Sequence, residues 1–182
     1  MIEVHGMGIE RLAGGLGRDR AVAAGAHLFR QGDPSGEVHL IREGHLKAYY
    51  LDPEGRERVK SLLAPGDLIG SMAALTEGVG CTFSLVAVSE ARVRSIPFAD
   101  LTAAAERDHA AALAMIGFLA GYARRKERRE FELLCLSAEA RQARALEQAA
   151  AFEGAFPQSD IAAWIGITPQ AFSRIKKRRA AG

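Results

Sequence analysis

The side chains best suited to chemistry lie near the carboxyl end of the chain, where amide, hydroxyl and cationic groups alternate with aliphatic ones. Gln170 can pair bidentately with adenine and Arg174 with guanine in the DNA major groove. Lysines and arginines that follow are better suited to phosphate contacts. We therefore predict a DNA-binding surface. Its residues are Thr168, Pro169, Gln170, Ser173, Arg174, Lys176, Lys177, Arg178 and Arg179.

The spacing around these residues predicts a helix-turn-helix. Ala162 is the small residue where two helices would touch, and Gly166 lies four residues later at the turn. Thr168 and Pro169 read as an N-cap and a first helical residue, so the second helix should begin at Pro169. The predicted apolar set is Ile161, Ile165, Ile167, Phe172 and Ile175, with Trp164 beside it. The alternative is an amphipathic helical hairpin with a solvated basic tail.

Charge is unevenly distributed along the 182 residues. The formal net charge is only +2, but residues 1–100 carry 11 basic and 13 acidic side chains, whereas residues 101–182 carry 13 basic and 9 acidic ones. The positive excess therefore falls in the half that holds the predicted DNA-binding surface, which suits phosphate binding.

Composition and motifs exclude several other classes. The only cysteines, Cys81 and Cys135, are far apart in sequence, which argues against a disulfide framework. The five histidines form no metal-binding motif, so we predict no metal site. Residues 1–11 lack the pattern of a signal peptide, and no segment is apolar enough to cross a bilayer. These features predict a soluble cytoplasmic protein without membrane contact.

Short β-prone runs separated by Gly, Pro and Asp turns fill residues 21–97, a pattern typical of a sandwich or barrel and here of a β-roll. The predicted strands are Val38–Ile41, Leu46–Leu51, Val59–Leu63, Phe83–Val88 and Ala91–Ile96. Residues 98–135 contain no proline and are rich in Ala, Leu, Glu and Arg, which predicts one or two helices.

The helical segment has two unlike halves. Residues 110–122 are apolar on nearly every face, so one side should meet the β domain and another should be covered by a second copy of the chain. Residues 124–130 are all charged and should protrude or exchange ion pairs. A parallel pairing of the helix predicts a homodimer; the alternative is a buried helix within a monomer. The predicted dimer residues are Leu113, Ile116, Leu119 and Ala123.

The order β-roll, long helix and helix-turn-helix resembles the Crp/Fnr superfamily of bacterial transcription regulators over nearly the full length of the chain. The segments that carry the resemblance are 27–33, 37–46, 65–70, 133–141 and 160–175. It implies an α+β fold with a cyclic-nucleotide-binding-like β-roll (a double-stranded β-helix) over 1–98, a long dimerisation helix over 99–136 and a DNA-binding domain over 137–182. It also implies a homodimer on near-palindromic double-stranded DNA, with RNA polymerase as a further partner of an activator.

Two departures from the family pattern matter. Members that bind cyclic nucleotides carry a glutamate and an arginine where this chain has Ser71 and Cys81, so cyclic AMP should not bind in the usual manner. The loop would then either hold another small-molecule effector, of unknown identity, or only close the β-roll. The candidate pocket residues are Gly70, Ser71, Met72, Ala73, Cys81 and Thr82. The resemblance is to a short-tailed branch without a C-terminal wing, which places phosphate anchoring on the terminal basic cluster.

The sequence thus predicts a DNA-binding transcription regulator rather than an enzyme. A cupin-like β-barrel metalloenzyme is one alternative, and a regulatory module that acts through a protein partner is another. Cys81 as a redox-sensing thiol is a further hypothesis, although no adjacent cation favours a low pKa there.

Overall fold

The computed structural model of the chain describes residues 15–149 and 154–180, and the interpretation of residues 1–11 lies outside these ranges. Two four-stranded antiparallel sheets form the amino-terminal part, in the orders β1-β8-β3-β6 and β2-β7-β4-β5. The strands are β1 (Arg18–Val22), β2 (His27–Phe29), β3 (Glu37–Glu43), β4 (Leu46–Leu51), β5 (Glu57–Leu63), β6 (Leu68–Ile69), β7 (Ser84–Ala87) and β8 (Ala91–Pro97).

The sheets enclose the main core, which confirms the predicted β-roll and the α+β fold. Leu46, Leu85 and Val93 are fully buried in this core, and each stabilises the fold by about 1.5–3 kcal/mol relative to an exposed side chain. All five predicted strands are present. The unpredicted ones are β1, whose residues are mostly exposed, and the short β2 and β6.

A β-bulge in the β4–β5 pair changes the direction of one side chain. Ala48 faces Ser61 and Tyr49 faces Val59, so Lys60 has no partner across the ladder. A bulge of this kind redirects the extra residue. The Lys60 ammonium group consequently lies 4.3 Å from the centre of the Phe83 ring, on the core side of the sheet.

Two helices replace the single segment 98–135, with a break at Asp108. The extended backbone of Asp108 ends the first helix, and its carboxylate accepts hydrogen bonds from Ala110 N and Ala111 N at the start of the second. The helices of the described chain are α1 (Met72–Glu77), α2 (Phe98–Arg107), α3 (His109–Cys135), α4 (Ala138–Ala149), α5 (Gln158–Trp164) and α6 (Pro169–Ala180).

Helix α3 has 27 residues, a length of about 40 Å, and presents different faces to the β-roll and to solvent. Phe118 packs on a second core cluster around Leu40 and Ile96. The opposite face carries the exposed residues Leu113, Ile116, Leu119 and Ala123.

The charged run 124–130 differs from expectation. Within the described part of the chain none of its residues forms an ion pair, and Lys126 and Arg129 are turned toward the β-roll. Helical periodicity explains the difference, because these two residues continue the inner face begun by Phe118 and Tyr122. No helix among the described residues is long and apolar enough to pass through a bilayer.

Candidate nucleic-acid interface and effector region

Helices α5 and α6 form the predicted helix-turn-helix around a small apolar core. Ala162 is completely buried, and Ile165 and Phe172 pack with it. Gly166 adopts φ +73° at the turn, a conformation that side chains with a Cβ rarely adopt. The chain then reverses through a hydrogen bond from Ile167 N to Ala162 O of 3.0 Å.

The start of α6 confirms the predicted cap. The Thr168 hydroxyl accepts a hydrogen bond from Ala171 N at 3.1 Å, and Pro169 is the first helical residue. With Phe172 and Ile175 buried, the polar face of α6 is held toward solvent.

The structure brings together most of the residues predicted to contact DNA. A shallow surface groove on α6 is lined by Pro169, Gln170, Ser173, Arg174, Lys177 and Arg178. Thr168, the cap residue that precedes α6, and Lys176 on the helix are also exposed. Arg178 forms an exposed ion pair of 2.9 Å with Glu139. The side chain of Arg179 lies outside the described residues.

Two residues of α4 hold the helix-turn-helix in place and were not identified as functional from the sequence. The Arg141 guanidinium donates to Ile165 O and Leu136 O, both at 2.7 Å, so it connects the turn to the end of α3. Gln142 is fully buried and donates to Phe172 O at 2.9 Å. An arginine and a glutamine at adjacent positions of an amphipathic helix give no sequence signal for this role.

The helix-turn-helix packs against the β-roll of the same chain. Val59 and Leu62 of β5 form a buried cluster with Phe156, which precedes α5. Lys47 on β4 reaches Asp160 on α5 at 3.3 Å and Glu57 at 2.9 Å. Burial opposes the charge of Lys47, but these two carboxylates outweigh it and raise the lysine's pKa.

The loop proposed to hold an effector is closed by its own hydrogen bonds. Ser71 is buried, and its hydroxyl accepts a hydrogen bond from Thr82 N at 3.1 Å. A Cβ at Gly70 would lie 2.9 Å from a Val38 methyl group, so this turn is tightly packed. Met72 and Ala73 are half-buried in the first turn of α1. The candidate pocket residues are therefore brought together, but the Ser71 hydroxyl is already occupied by a hydrogen bond within the protein.

Cys81 belongs to the core rather than to an exposed loop. Its exposed fraction is 2%, and burial raises the pKa of its thiol. A buried neutral thiol supplies neither the charge of an arginine nor the reactivity of a thiolate. Among the described residues no group of three or more His, Cys, Asp or Glu side chains is placed to hold a metal.

Comparison with known proteins gives a family match that covers the β-roll. Residues 19–108 match the family model of the cyclic nucleotide-binding domain. Over 90 residues the chain is 34% identical to the transcriptional activator protein Anr of Pseudomonas aeruginosa and 31% identical to the anaerobic regulatory protein of Haemophilus influenzae. These matches span 50% of this chain but only 36% and 34% of the relatives' own lengths.

The fold extends beyond the matched segment. The structure of FixK2 from Bradyrhizobium japonicum superimposes with a TM-score of 0.78 at 21% identity, covering 90% of this chain and 84% of that chain. The chain is thus a cyclic-nucleotide-binding-like β-roll protein with an appended helix-turn-helix. In its arrangement of domains it is similar to regulators of the Crp/Fnr superfamily. Both relatives are regulators by name, so the interpretation as a cupin-type enzyme is set aside.

Proposed function

We propose that the chain is a homodimeric, sequence-specific DNA-binding transcription regulator of the cytoplasm. Residues 1–98 form its sensor domain, 99–136 its dimerisation segment and 137–182 its DNA-binding domain. The match to the cyclic nucleotide-binding domain model and the regulatory names of its relatives support this assignment.

The observation that carries the proposal is the exposed polar face of α6. Gln170, Ser173 and Arg174 lie on one side of a capped helix whose other side is buried. Gln170 and Arg174 have the donor geometry to read base edges, whereas Lys176 and Lys177 are suited to the phosphate backbone. Thr168 and Pro169, at the amino end of the helix, would lie nearest the groove edge.

The exposed apolar face of α3 supports dimerisation. Leu113 and Ile116 are 53% and 61% exposed, and Leu119 and Ala123 continue the same face. A second copy of α3 would cover these side chains and place two α6 helices over successive major grooves of near-palindromic DNA. If the regulator is an activator, RNA polymerase is a further partner.

The effector region supports a signal other than cyclic AMP bound in the usual manner. A cyclic phosphate would meet the buried thiol of Cys81 instead of a guanidinium, and Ser71 is bonded to Thr82. The strong bidentate contact to phosphate is therefore lost.

The test of DNA recognition begins with selection of bound fragments from the source genome by the purified protein. On the best fragment Arg174→Ala should weaken binding by about 1–3 kcal/mol and relax the preference at one base position. Lys176→Ala should weaken all sequences alike and reduce the salt slope by about one. If both variants keep the wild-type affinity, the reading face is assigned wrongly.

Dimerisation is tested separately by sedimentation of the full chain. Ile116→Asp should shift the protein from dimer to monomer, because two carboxylates would face each other in an apolar contact. Val79→Asp is the control, since Val79 is also an exposed apolar residue but lies in a loop away from α3. A dimer that persists in Ile116→Asp would contradict the assigned interface. A stable dimer that selects no DNA would favour action through a protein partner.

A further inference from the structure

One cation of the predicted DNA-binding surface is already paired within the chain. The Arg178 guanidinium, which lines the groove on α6, lies 2.9 Å from the Glu139 carboxylate in the first turn of α4. Among the ion pairs in the part of the chain that the structure describes, none includes Arg174, Lys176 or Lys177. Arg178 therefore differs from its neighbours on α6, because a carboxylate of another helix competes for it.

The position of Glu139 is fixed by the packing of α4 on α6. Gln142, one turn further along α4, is completely buried and donates to Phe172 O at 2.9 Å. Residues three apart share one face of a helix, so Glu139 lies on the face of α4 that meets α6. The two charged groups are therefore brought together by the same helix contact that holds the helix-turn-helix.

The Glu139 side chain is charged at neutral pH. A hydrogen bond from its own backbone amide, together with the Arg178 guanidinium, holds the pKa of its carboxyl group below the usual value of 4.5. A carboxylate also suits this position, because the amino end of a helix carries a partial positive charge. In the protein without DNA, Glu139 consequently offers Arg178 a full negative charge.

A DNA phosphate requires the same guanidinium group. Phosphate and carboxylate both accept charge-assisted hydrogen bonds from the planar donors of an arginine. Contact of Arg178 with the DNA backbone therefore breaks its pair with Glu139 and leaves an unpaired carboxylate close to phosphates. Arg178 then contributes less to binding than an unpaired cation such as Lys177. Fewer ions are also released overall, since the freed carboxylate takes up a cation from solution.

We propose that Glu139 is a positioning residue that limits the affinity for DNA of any sequence, because it holds Arg178 as an intrachain substitute for phosphate. This role rests on the proposed function and adds a residue outside α6 to those that set DNA binding. Since Arg178 contacts the backbone rather than base edges, Glu139 weakens binding to the selected fragment and to unrelated duplexes alike. The base contacts of Gln170 and Arg174 then supply a larger share of the affinity.

DNA titrations with the full-length protein test this role. On the selected fragment and on an unrelated duplex of equal length, Glu139→Gln should bind about two- to fivefold tighter at low salt, because no exposed ion pair has to be broken. The dependence of log affinity on log salt should become steeper by up to about one, because no freed carboxylate takes up a cation. A purely structural role of Glu139 would instead weaken binding and leave this slope unchanged.

Glu43→Gln is the matched control for the change in net charge. Glu43 is an exposed carboxylate of the β-roll, 3.8 Å from Arg92, and its substitution removes the same negative charge from a comparable ion pair. Its affinity for DNA and its salt slope should stay close to the wild-type values. A gain in Glu43→Gln equal to that in Glu139→Gln would overturn the proposal, since net charge alone would explain both.

A double-mutant cycle with Arg178→Met separates the ion pair from direct repulsion between Glu139 and DNA. If Glu139 acts through Arg178, Glu139→Gln should add little to binding once Arg178 is replaced. The proposal is overturned if the full gain persists in Arg178→Met, or if Glu139→Gln alone binds no tighter than the wild type. The proposed function fails by a different result, in which neither the wild type nor any variant binds a duplex and no affinity exists for Glu139 to limit.

Discussion

The helix-turn-helix and the interior of the β-roll place their polar groups in opposite environments. On α6 the polar side chains are exposed above an apolar core of Ala162, Ile165 and Phe172. Inside the β-roll, His39 and Lys60 are themselves buried, at 2% and 7% exposure. The polar face of α6 therefore consists of side chains that water already solvates. In the interior of the β-roll, the protonation of a side chain depends on its neighbours in the protein.

The difference in burial decides what a substitution in each region measures. Exposed side chains such as Arg174 can be removed with little effect on stability, so their substitution reports on binding. Buried groups such as His39 couple protonation to stability, so a change at one of them affects both.

The largest expected effect is the loss of the helix-turn-helix core. Phe172→Ala should cost about 3–5 kcal/mol, because it leaves a cavity in a domain with few other buried residues. Hydrogen exchange should show α5 and α6 unprotected while β3, β4 and β8 stay protected. Phe131→Ala, at an exposed aromatic residue of α3, is the control. Equal loss of hydrogen-exchange protection in the β-roll would contradict this expectation, since the two regions would then unfold as one unit.

The next effect is a pH dependence that originates in the β-roll. Burial lowers the pKa of His39 to about 4 from 6.5, and its Nδ1 lies 2.9 Å from the Ser95 hydroxyl. Between these two values the unfolded chain binds a proton that the folded chain does not, so stability falls as the pH falls through this window. The loss approaches about 3 kcal/mol near pH 4 and is absent above pH 6.5.

Urea unfolding at several pH values measures this effect against His39→Gln. The variant keeps a polar side chain but cannot titrate, so its stability should decline less between pH 6.5 and pH 4. Identical pH profiles of the unfolding free energy for the two proteins would show that folding does not lower the pKa of His39. The buried and exposed polar groups would then not differ in this respect.

The smallest effect concerns the contact that joins the two regions. Asp160→Asn removes the ion pair with Lys47 and should cost about 1 kcal/mol, since the pair is only partly buried. Hydrogen exchange of α5 should increase. Glu57→Gln is the matched control, because it removes the other carboxylate on Lys47 within the same sheet. Unchanged exchange in Asp160→Asn would show that the apolar cluster around Phe156 holds the contact alone.

The parts of the fold that follow local rules were predictable. Phe172 and Ile175 recur at helical spacing, Thr168 and Pro169 begin a helix, and Gly166 suits a turn. The strands with regular apolar residues were equally clear. By contrast, β1 is largely exposed and polar, so its place in the sheet depends on pairing with β8, which no local pattern reveals.

The candidate sites divide in the same manner. The exposed face of α6 is set by periodicity once its inner residues are known, so its polar residues could be predicted one by one. The roles of Arg141 and Gln142 could not, because each depends on backbone carbonyls of another helix.

By itself, the amino-acid sequence determined the β-roll, the helical linker and a helix-turn-helix with an outward polar face, since all three arise from periods and caps within short segments. Only the tertiary structure decided that Lys60 faces the core, that Lys126 and Arg129 meet it from α3, and that α5 packs on β5. These outcomes depend on a β-bulge and on contacts between distant segments, where the energy of each side chain is set by neighbours that the local sequence does not specify.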